Sequence, residues 1–215
     1  MAAYDLEEQE QLSAIKAWWE KNGSIVTGAA VVLALVVAGV QGWRWYEGKQ
    51  AAEAGGLYSA LSQAAMSKDS AKIGVLTDEL LAKHAGSVSA VLAALQTAQV
   101  ALDAGDTKTA RTRLEWAVAS KADPLLREVA RLRLAAVQFD AKEFDQALET
   151  LKAEPLAAYA GRFEDLRGDI LFAQGKLDEA RAAYKKGVEA ASKAGELGGN
   201  FRAIVQTKLD ALGGA

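Results

Sequence analysis

The sequence predicts an all-α protein in which a single N-terminal transmembrane helix is followed by a domain of helical-hairpin repeats. Three observations support this prediction. Residues 23–43 contain no charged side chain. Beyond them, apolar residues recur at helical spacing, without the sustained alternation that is typical of a strand. In the second half of the chain, three short segments align with one another, and they end at Ala110, Ala147 and Ala180.

The predicted transmembrane helix comprises residues 23–43, between Lys21 and Arg44. At about 1.5 Å of rise per residue, it covers the roughly 30 Å hydrocarbon core of a bilayer. Aromatic residues typical of the water–lipid boundary flank it, namely Trp18, Trp19, Trp43, Trp45 and Tyr46. A buried core helix would usually carry a polar face, and a cleaved signal peptide would have a basic start. Here the start is acidic and WRWY follows the apolar run, so we expect a retained anchor.

The segment before the anchor, residues 1–22, is predicted to be an amphipathic helix. Its apolar residues recur three and four positions apart, at Leu12, Ile15, Trp18 and Trp19. Five acids against two bases give this segment a net charge of −3, so the rest of the chain is balanced at 23 acids and 23 bases. Asn22 and Gly23 are expected to interrupt the helix before the anchor. A solvated, partly frayed tail is the alternative interpretation.

The anchor itself contains a predicted helix-packing face. Small residues recur at every fourth position, namely Ala30, Ala34, Ala38 and Gly42. This spacing places them on one side, where a second membrane helix can approach closely, although small residues are common in membrane helices generally. Two bases lie on each flank of the anchor, so the positive-inside rule does not decide the orientation.

Residues 44–86 are predicted to form a helical linker and a first helical hairpin. Asp69 or Ser70 suits the N-cap of the second helix of this hairpin, and apolar residues follow it at helical spacing. The run Ala85, Gly86 and Ser87 is expected to end that helix.

Residues 87–215 are predicted to form tetratricopeptide-like repeats with a C-terminal capping helix. The segments GDTKTA (105–110), KEFDQA (142–147) and GKLDEA (175–180) mark the turn between two helices in each copy. Their spacing is close to the length of a tetratricopeptide helical hairpin, which is about 34 residues. The last alanine of each segment permits close helix packing. A larger residue follows it four positions later, at Leu114, Leu151 and Tyr184.

The second copy departs most from the repeat pattern. Polar residues replace small or apolar ones at Arg131, Gln138 and Glu154, and Pro155 is expected to end the second helix early. A final helix, about residues 200–212, is expected to cap the stack with its apolar residues inward, namely Ile204, Val205 and Leu209.

The repeat pattern also predicts a partner groove along the first helix of each hairpin. Residues spaced i, i+4, i+7 share one helix face. The candidates are Leu95, Gln99 and Leu102, then Leu132, Ala136 and Phe139, then Asp165, Asp169 and Phe172. Six of the nine are apolar, which is unusual for a solvated surface. We expect either an apolar segment of a partner or the chain's own early helix to cover this face.

The residue types that most catalytic and metal chemistry requires are scarce. The chain has no cysteine and a single histidine, His84, which excludes thiolate sites, histidine clusters and a serine triad. We therefore expect no enzyme, no cofactor and no metal. The balanced charge beyond residue 22 produces no long-range field for nucleic acid. Residues 108–133 do carry seven bases against three acids, a cluster suited to anionic lipid or an acidic partner.

Three stretches resemble the YfgM family, ancillary subunits of the SecYEG protein-export translocon. They are AIKAWWEKNG (14–23), GWRWYEGKQ (42–50) and LRGDILFAQGKLDEARAAYKKGV (166–188). The resemblance implies a single-pass protein of the cell inner membrane, with a cytoplasmic N-terminus and a periplasmic repeat domain. It also implies association with the translocon, with the membrane-anchored chaperone PpiD and with unfolded secretory clients. A cytoplasm-facing repeat adaptor for assembly or stress signalling is the alternative, and a membrane-anchored enzyme is disfavoured.

Overall fold

The computed structural model describes residues 2–121, 123–193 and 199–213, and every regular element within these ranges is an α-helix. The helices are α1 (Ala2–Met66), α2 (Ser70–Lys83), α3 (Val88–Asp103), α4 (Thr107–Ala119), α5 (Pro124–Asp140), α6 (Phe144–Thr150), α7 (Ala160–Ala173), α8 (Leu177–Lys193) and α9 (Gly199–Ala211). They belong to two compact units, Met1–Ala52 and Glu53–Ala215, so α1 contributes residues to both. The all-α prediction is confirmed.

In the first unit, α1 continues through Asn22 and Gly23, so the expected interruption is wrong. The Asn22 side-chain amide donates to the Trp18 carbonyl oxygen one turn earlier, at 3.0 Å. It therefore remains compatible with the helix. A Cβ added at Gly23 would lie 3.1 Å from Trp19 Nε1. The glycine makes room for the Trp19 indole instead of ending the helix.

The anchor segment exposes apolar side chains around the helix. Among its larger residues, Ile25, Leu33 and Leu35 are 70%, 65% and 68% exposed. Within the described residues, one helix is long and apolar enough to cross a membrane. Its most apolar window has a mean hydropathy of 2.3 and is 6% buried. A core helix would be mostly buried, so this exposure does not fit a core helix of this chain.

The described residues of the second unit form a stack of four hairpins and a final helix. The hairpins are residues 53–66 with α2, α3 with α4, α5 with α6, and α7 with α8, and α9 packs on α8. Three apolar clusters each join one hairpin to the first helix of the next, and a fourth joins the last hairpin to α9. Each hairpin thus buries its apolar face against its neighbour, as repeat proteins do.

The turn inside each predicted repeat has the same geometry. Gly105, Lys142 and Gly175 have positive φ angles of 77°, 62° and 76°. Each donates its backbone N–H to the carbonyl three residues earlier, and the next residue donates to the carbonyl five residues earlier. This pair of bonds is the Schellman motif, which satisfies the last carbonyls of the preceding helix. The three aligned segments therefore mark equivalent structural positions.

A fourth turn of this kind occurs at Lys68, which the sequence alignment missed. Lys68 has a φ of 56° and donates to the Ala65 carbonyl, while Asp69 donates to that of Ala64. It precedes Gly105 by the same interval that separates Gly105 from Lys142. This copy reads KDSAKI, with Lys68 and Ile73 where the first aligned segment has glycine and alanine. The hairpin before residue 87 is therefore a further member of the stack.

The helices within a hairpin approach one another where a small residue is matched to a large one. The matched positions are Ala98 with Leu114, Ala135 with Leu151, and Gly168 with Tyr184, all of them buried. The hairpin around Lys68 reverses the order, with Leu61 and Thr77 at the equivalent positions. The Thr77 hydroxyl lies 2.6 Å from that of Thr97. Close packing at each hairpin depends on the summed volume of the pair.

Two of the polar residues of the second repeat, Arg131 and Gln138, have partners inside the fold, and Glu154 is exposed. Arg131 pairs with buried Glu128 at 3.1 Å, and its guanidinium carbon lies 5.8 Å from the Phe163 ring centroid. The Thr150 hydroxyl donates to the buried side-chain carbonyl of Gln138 at 2.7 Å. Because these groups are paired, the repeat tolerates them. Helix α6 is shorter than α4 and α8, so the expected early end is confirmed, but it ends at Thr150, before Pro155.

Candidate partner-binding surfaces

The predicted helix-packing face lies on α1 within the first unit. Ala30, Ala34, Ala38 and Gly42 are all helical and exposed. A Cβ built at Gly42 would meet nothing within 4 Å. The described chain therefore leaves this face uncovered, and its contact with a second membrane helix stays a prediction.

The predicted groove residues on α3 and α5 belong largely to the apolar core. Leu95 is 5% exposed, and Leu102 packs against the same cluster. Leu132 and Phe139 pack against the cluster that includes Phe163, and the Phe139 ring centroid lies 5.9 Å from that of Phe144. Gln99 is exposed and donates to Asp103 within its own helix.

Phe172 is the exposed one of the three predicted groove residues that end each trio, namely Leu102, Phe139 and Phe172. Its side chain is 51% exposed, whereas Leu102 and Phe139 are partly buried in the core. It lines a cavity of about 280 Å³ together with Asp169, Tyr184 and Lys208. Of these three equivalent positions, a partner could therefore contact Phe172 more readily than Leu102 or Phe139.

The two predicted aspartates on α7 bind Lys208 of α9. The ammonium of Lys208 donates to Asp165 Oδ1 and to both carboxylate oxygens of Asp169, each at 2.8 Å. Tyr184 of α8 donates its hydroxyl to Asp169 at 2.8 Å. The chain's own last helix thus occupies the charged end of the predicted groove.

This network shifts the titration of its members. Burial raises the pKa of Asp165 above its usual range, against the opposing effect of Lys208. Burial alone would lower the pKa of Lys208, but the hydrogen bonds and charges of Asp165 and Asp169 raise it overall. Burial and the bond to Asp169 raise the pKa of Tyr184. Near neutral pH, the ammonium and the phenol therefore retain their protons.

The orientation of α9 corrects one expectation. Val205 and Leu209 face inward as predicted, at 0% and 6% exposure, but Ile204 is 56% exposed. Ile204 lies one turn before Lys208 on the same side of α9, and this edge of the buried face is exposed to solvent. Sequence inspection missed Lys208. The sequence did contain a signal for this contact. Asp165 and Asp169 lie four residues apart on α7, and the predicted capping helix carries the basic Lys208.

A larger cavity, which we call the α5–α8 cavity, has a volume of about 690 Å³. It is lined by the first half of α5, residues 157–159, the start of α7, the end of α8 and Phe201 of α9. Leu132 is the predicted groove residue that it includes. Among the described residues, Arg133 and Arg162 supply its charge, and no carboxylate lines it. Arg133 ends the basic cluster that the sequence suggested for anionic lipid or an acidic partner, whereas Arg162 was not identified from the sequence.

The basic cluster of residues 108–133 is largely engaged within the protein. Arg111 pairs with Glu143, and Arg113 pairs with Asp78 at 2.7 Å. Arg133 donates to the Leu95 carbonyl at 3.4 Å. The cluster therefore stabilises contacts between neighbouring repeats. Within the described ranges, no group of three or more His, Cys, Asp or Glu residues is placed to hold a metal ion.

Comparison with known proteins extends over nearly the whole chain. Residues 16–214 match the family model described as "Tetratricopeptide repeat-like domain". A protein of Aggregatibacter actinomycetemcomitans is 31% identical over 98% of this chain and 100% of its own length. One of Escherichia coli (strain K12) is 30% identical over 85% and 88%, respectively. One of Neisseria gonorrhoeae (strain ATCC 700825 / FA 1090) is 29% identical over 99% and 100%.

All three relatives are named "Ancillary SecYEG translocon subunit". The solved structure "MamA 41-end from Desulfovibrio magneticus RS-1" is 17% identical, with a TM-score of 0.49 over 74% of this chain and 94% of that one. The sequence relatives match both the anchor region and the repeat domain. The chain belongs to the family of ancillary SecYEG translocon subunits, the YfgM family, and carries its tetratricopeptide repeat-like domain.

Proposed function

We propose that this protein is a non-enzymatic, membrane-anchored accessory subunit of the SecYEG translocon in the cell inner membrane. The observation that carries the proposal is the family relationship, which extends across anchor and repeats at 31% identity. The exposed apolar helix suits a single-pass anchor, and the repeat stack suits a protein-binding role. The lack of cysteine and the single histidine agree with a scaffold.

Co-purification tests the translocon assignment. The full chain with a C-terminal affinity tag, extracted in mild detergent, should retain SecY, SecE and SecG. A matched single-pass protein in which another apolar helix replaces residues 23–43 separates anchor contacts from domain contacts. Recovery of neither protein with the translocon, at equal expression, would contradict the assignment.

We propose that the N-terminus is cytoplasmic and the repeat domain periplasmic. The support is the resemblance of the flanking segments to the family, because the bases on the two sides are equal in number. An alkaline phosphatase fused after residue 215 should be active, and a reporter restricted to the cytoplasm should not. The opposite result would favour the cytoplasm-facing adaptor.

We further propose that the repeat domain binds a PpiD-like periplasmic chaperone and unfolded secretory chains as they emerge. Phe172 offers an exposed ring for such contacts, at 51% exposure. Photo-crosslinking from position 172 in cells, compared with exposed Lys185 on α8 as a control position, tests this directly. Capture of the chaperone or of secretory chains from position 172 alone is the expected result, and equal capture from both positions would contradict it.

A further inference from the structure

We propose that the α5–α8 cavity binds an extended polypeptide segment that carries an acidic side chain next to apolar ones. The inference deepens the proposed function and rests on it, because it specifies the chemistry of the chain that the repeat domain would accept. The cavity lies entirely within the second unit. It is distinct from the smaller cavity beside Phe172 and Lys208.

The size and the walls of the cavity suit a ligand. Its volume of about 690 Å³ falls within the range of about 300–1,000 Å³ that is typical of binding pockets. Leu125, Val129 and Leu132 form one wall along α5, and Phe201 contributes an aromatic ring from α9. Leu125 is 52% exposed at this surface. A concave apolar surface open to solvent is typical of an interaction site.

The described lining of the cavity is positively charged. Among the described residues that line it, Arg133 and Arg162 are the charged ones, and none is Asp or Glu. Arg133 bonds only to a backbone carbonyl, that of Leu95, and Arg162 forms no ion pair in the described part of the chain. Arg162 and Asp165 interact electrostatically. The Asp165 carboxylate is, however, already bound by Lys208. Both guanidinium groups therefore retain donors for a carboxylate.

One of these guanidinium groups is held in place before any ligand arrives. The Arg162 guanidinium carbon lies 5.2 Å from the Phe201 ring centroid, within cation–π range. Gly161 lies beside it, and a Cβ at that position would meet Phe201 Cε1 at 3.2 Å. The glycine therefore permits the ring to lie close to α7. An ordered planar fork of donors suits bidentate binding of a carboxylate, because less side-chain freedom is lost on binding.

These features favour a polypeptide over a phospholipid headgroup. A headgroup phosphate at a membrane surface generally attracts clusters of basic side chains, often four or more, whereas two arginines here stand among apolar residues. A peptide carboxylate can bind the two arginines, while the aliphatic or aromatic side chains next to it in the peptide contact the apolar residues of the cavity. The site therefore matches an acidic–apolar segment of a protein chain.

Fluorescence anisotropy on the full chain, in nanodiscs of zwitterionic lipid, tests the proposal. The probe is a dye-labelled, end-blocked peptide with Leu-Phe-Glu-Leu at its centre, between neutral residues. A second peptide replaces the glutamate by glutamine, and a third replaces the three apolar residues by serine. We expect the first to bind at least tenfold more tightly than either of the others.

Variants locate the binding to the cavity. Arg133→Gln combined with Arg162→Gln should weaken binding of the glutamate peptide at least tenfold, and it should leave the glutamine peptide unaffected. Leu125→Ser should weaken both, and as an exposed residue it can be replaced without opening the core. Arg202→Gln is the matched control, since Arg202 is exposed on α9 and does not line the cavity. Circular dichroism should show the same helix content in all variants.

Each other outcome overturns the proposal. Equal binding of the glutamate and glutamine peptides would show that the arginines select no carboxylate. Binding unchanged in the double arginine variant would place the peptide elsewhere. Binding of vesicles with anionic lipid, abolished by the same variant while the peptides do not bind, would assign the site to lipid. A dimer that dissociates in the variant would assign it to a second copy of this chain.

The outcome is independent of the translocon assignment. Peptide binding uses purified protein, whereas the translocon assignment is tested by co-purification from membranes. Loss of peptide selectivity with intact co-purification would reject only the cavity proposal. Selective peptide binding without co-purification would reject the translocon role and leave the cavity's chemistry standing.

Discussion

The ring of Tyr184 lies directly on the backbone of Gly168. A Cβ at residue 168 would fall 2.4 Å from Tyr184 Cε1, a separation that real Cβ atoms do not tolerate. The Tyr184 side chain is 3% exposed, and its hydroxyl is fixed by the bond to Asp169. The ring therefore cannot move away without losing that bond.

Gly168→Ala should destabilise the repeat domain by about 1–3 kcal/mol, because overpacking displaces a buried ring. Thermal unfolding of residues 50–215, which contain the whole second unit, would measure it. Gly74→Ala is the control, since its Cβ would meet nothing within 4 Å and alanine favours a helix interior by about 0.5–1 kcal/mol. Equal melting of the Gly168→Ala variant and the parent would contradict this packing.

Lys142→Gly should stabilise the domain by about 0.5–1 kcal/mol, because Lys142 has a φ of 62°, a left-handed conformation that is unfavourable for a residue with a Cβ. Gly105 and Gly175 have the equivalent conformation without that cost. Urea unfolding should move to higher concentration for Lys142→Gly and to lower concentration for Gly175→Ala. A shift of the same sign in both variants would show that this conformation does not control turn stability.

Lys208→Met should destabilise the packing of α9 by about 2 kcal/mol, because it leaves two carboxylates close together without their cation. Adding Asp165→Asn and Asp169→Asn should restore much of the loss, since the repulsion is then removed. Chemical unfolding and protease resistance near the C-terminus report the change. If the triple variant is no more stable than Lys208→Met, the ion network is not the cause.

Phe139→Ser and Phe172→Ser should have different consequences. Phe139 packs in the core against Phe144, so its loss should cost about 2–4 kcal/mol of stability. Phe172 is half exposed, so Phe172→Ser should leave the melting temperature nearly unchanged and should reduce crosslinking to partners. Melting and crosslinking measured on both variants distinguish a core role from a surface role. A large stability loss in Phe172→Ser would assign that ring to the core.

Stability should fall as the pH rises above about 10, because the folded-state pKa values of Tyr184 and Lys208 both lie above their ordinary values of 10.0 and 10.5. The unfolded chain therefore releases these protons first, and alkaline pH favours unfolding. The stabilisation of the folded state that comes from these two protonated groups is complete below about pH 10 and is lost at higher pH. Tyr184→Phe combined with Lys208→Met should flatten stability between about pH 9.5 and about 11.5, and an unchanged slope would contradict this origin.

The sequence by itself determined the features that depend on residues close together in the chain. The uncharged run 23–43 predicts a helix that is long enough for a bilayer, because helix length follows directly from residue count. Asp69 was one of two N-cap candidates, and its side chain accepts the expected backbone N–H bond. Ser87, expected only to follow the end of α2, is also the N-cap of α3. Gly105 and Gly175 mark two of the repeated turns, and Lys142 was found because its segment also ends in alanine. The turn at Lys68 was missed because its segment has neither the glycine nor the final alanine.

Only the tertiary structure decided what lies on each exposed face. The contact of Lys208 with Asp165 and Asp169 joins α9 to α7, which lies far away in the chain, and only the packing of α9 shows that Ile204 is exposed. The core roles of Leu102 and Phe139, and the exposure of Phe172, follow from how much neighbouring helices cover each position. The α5–α8 cavity combines side chains from five separate segments. Helical periodicity identifies a face within one helix, but the surface that covers this face depends on distant contacts.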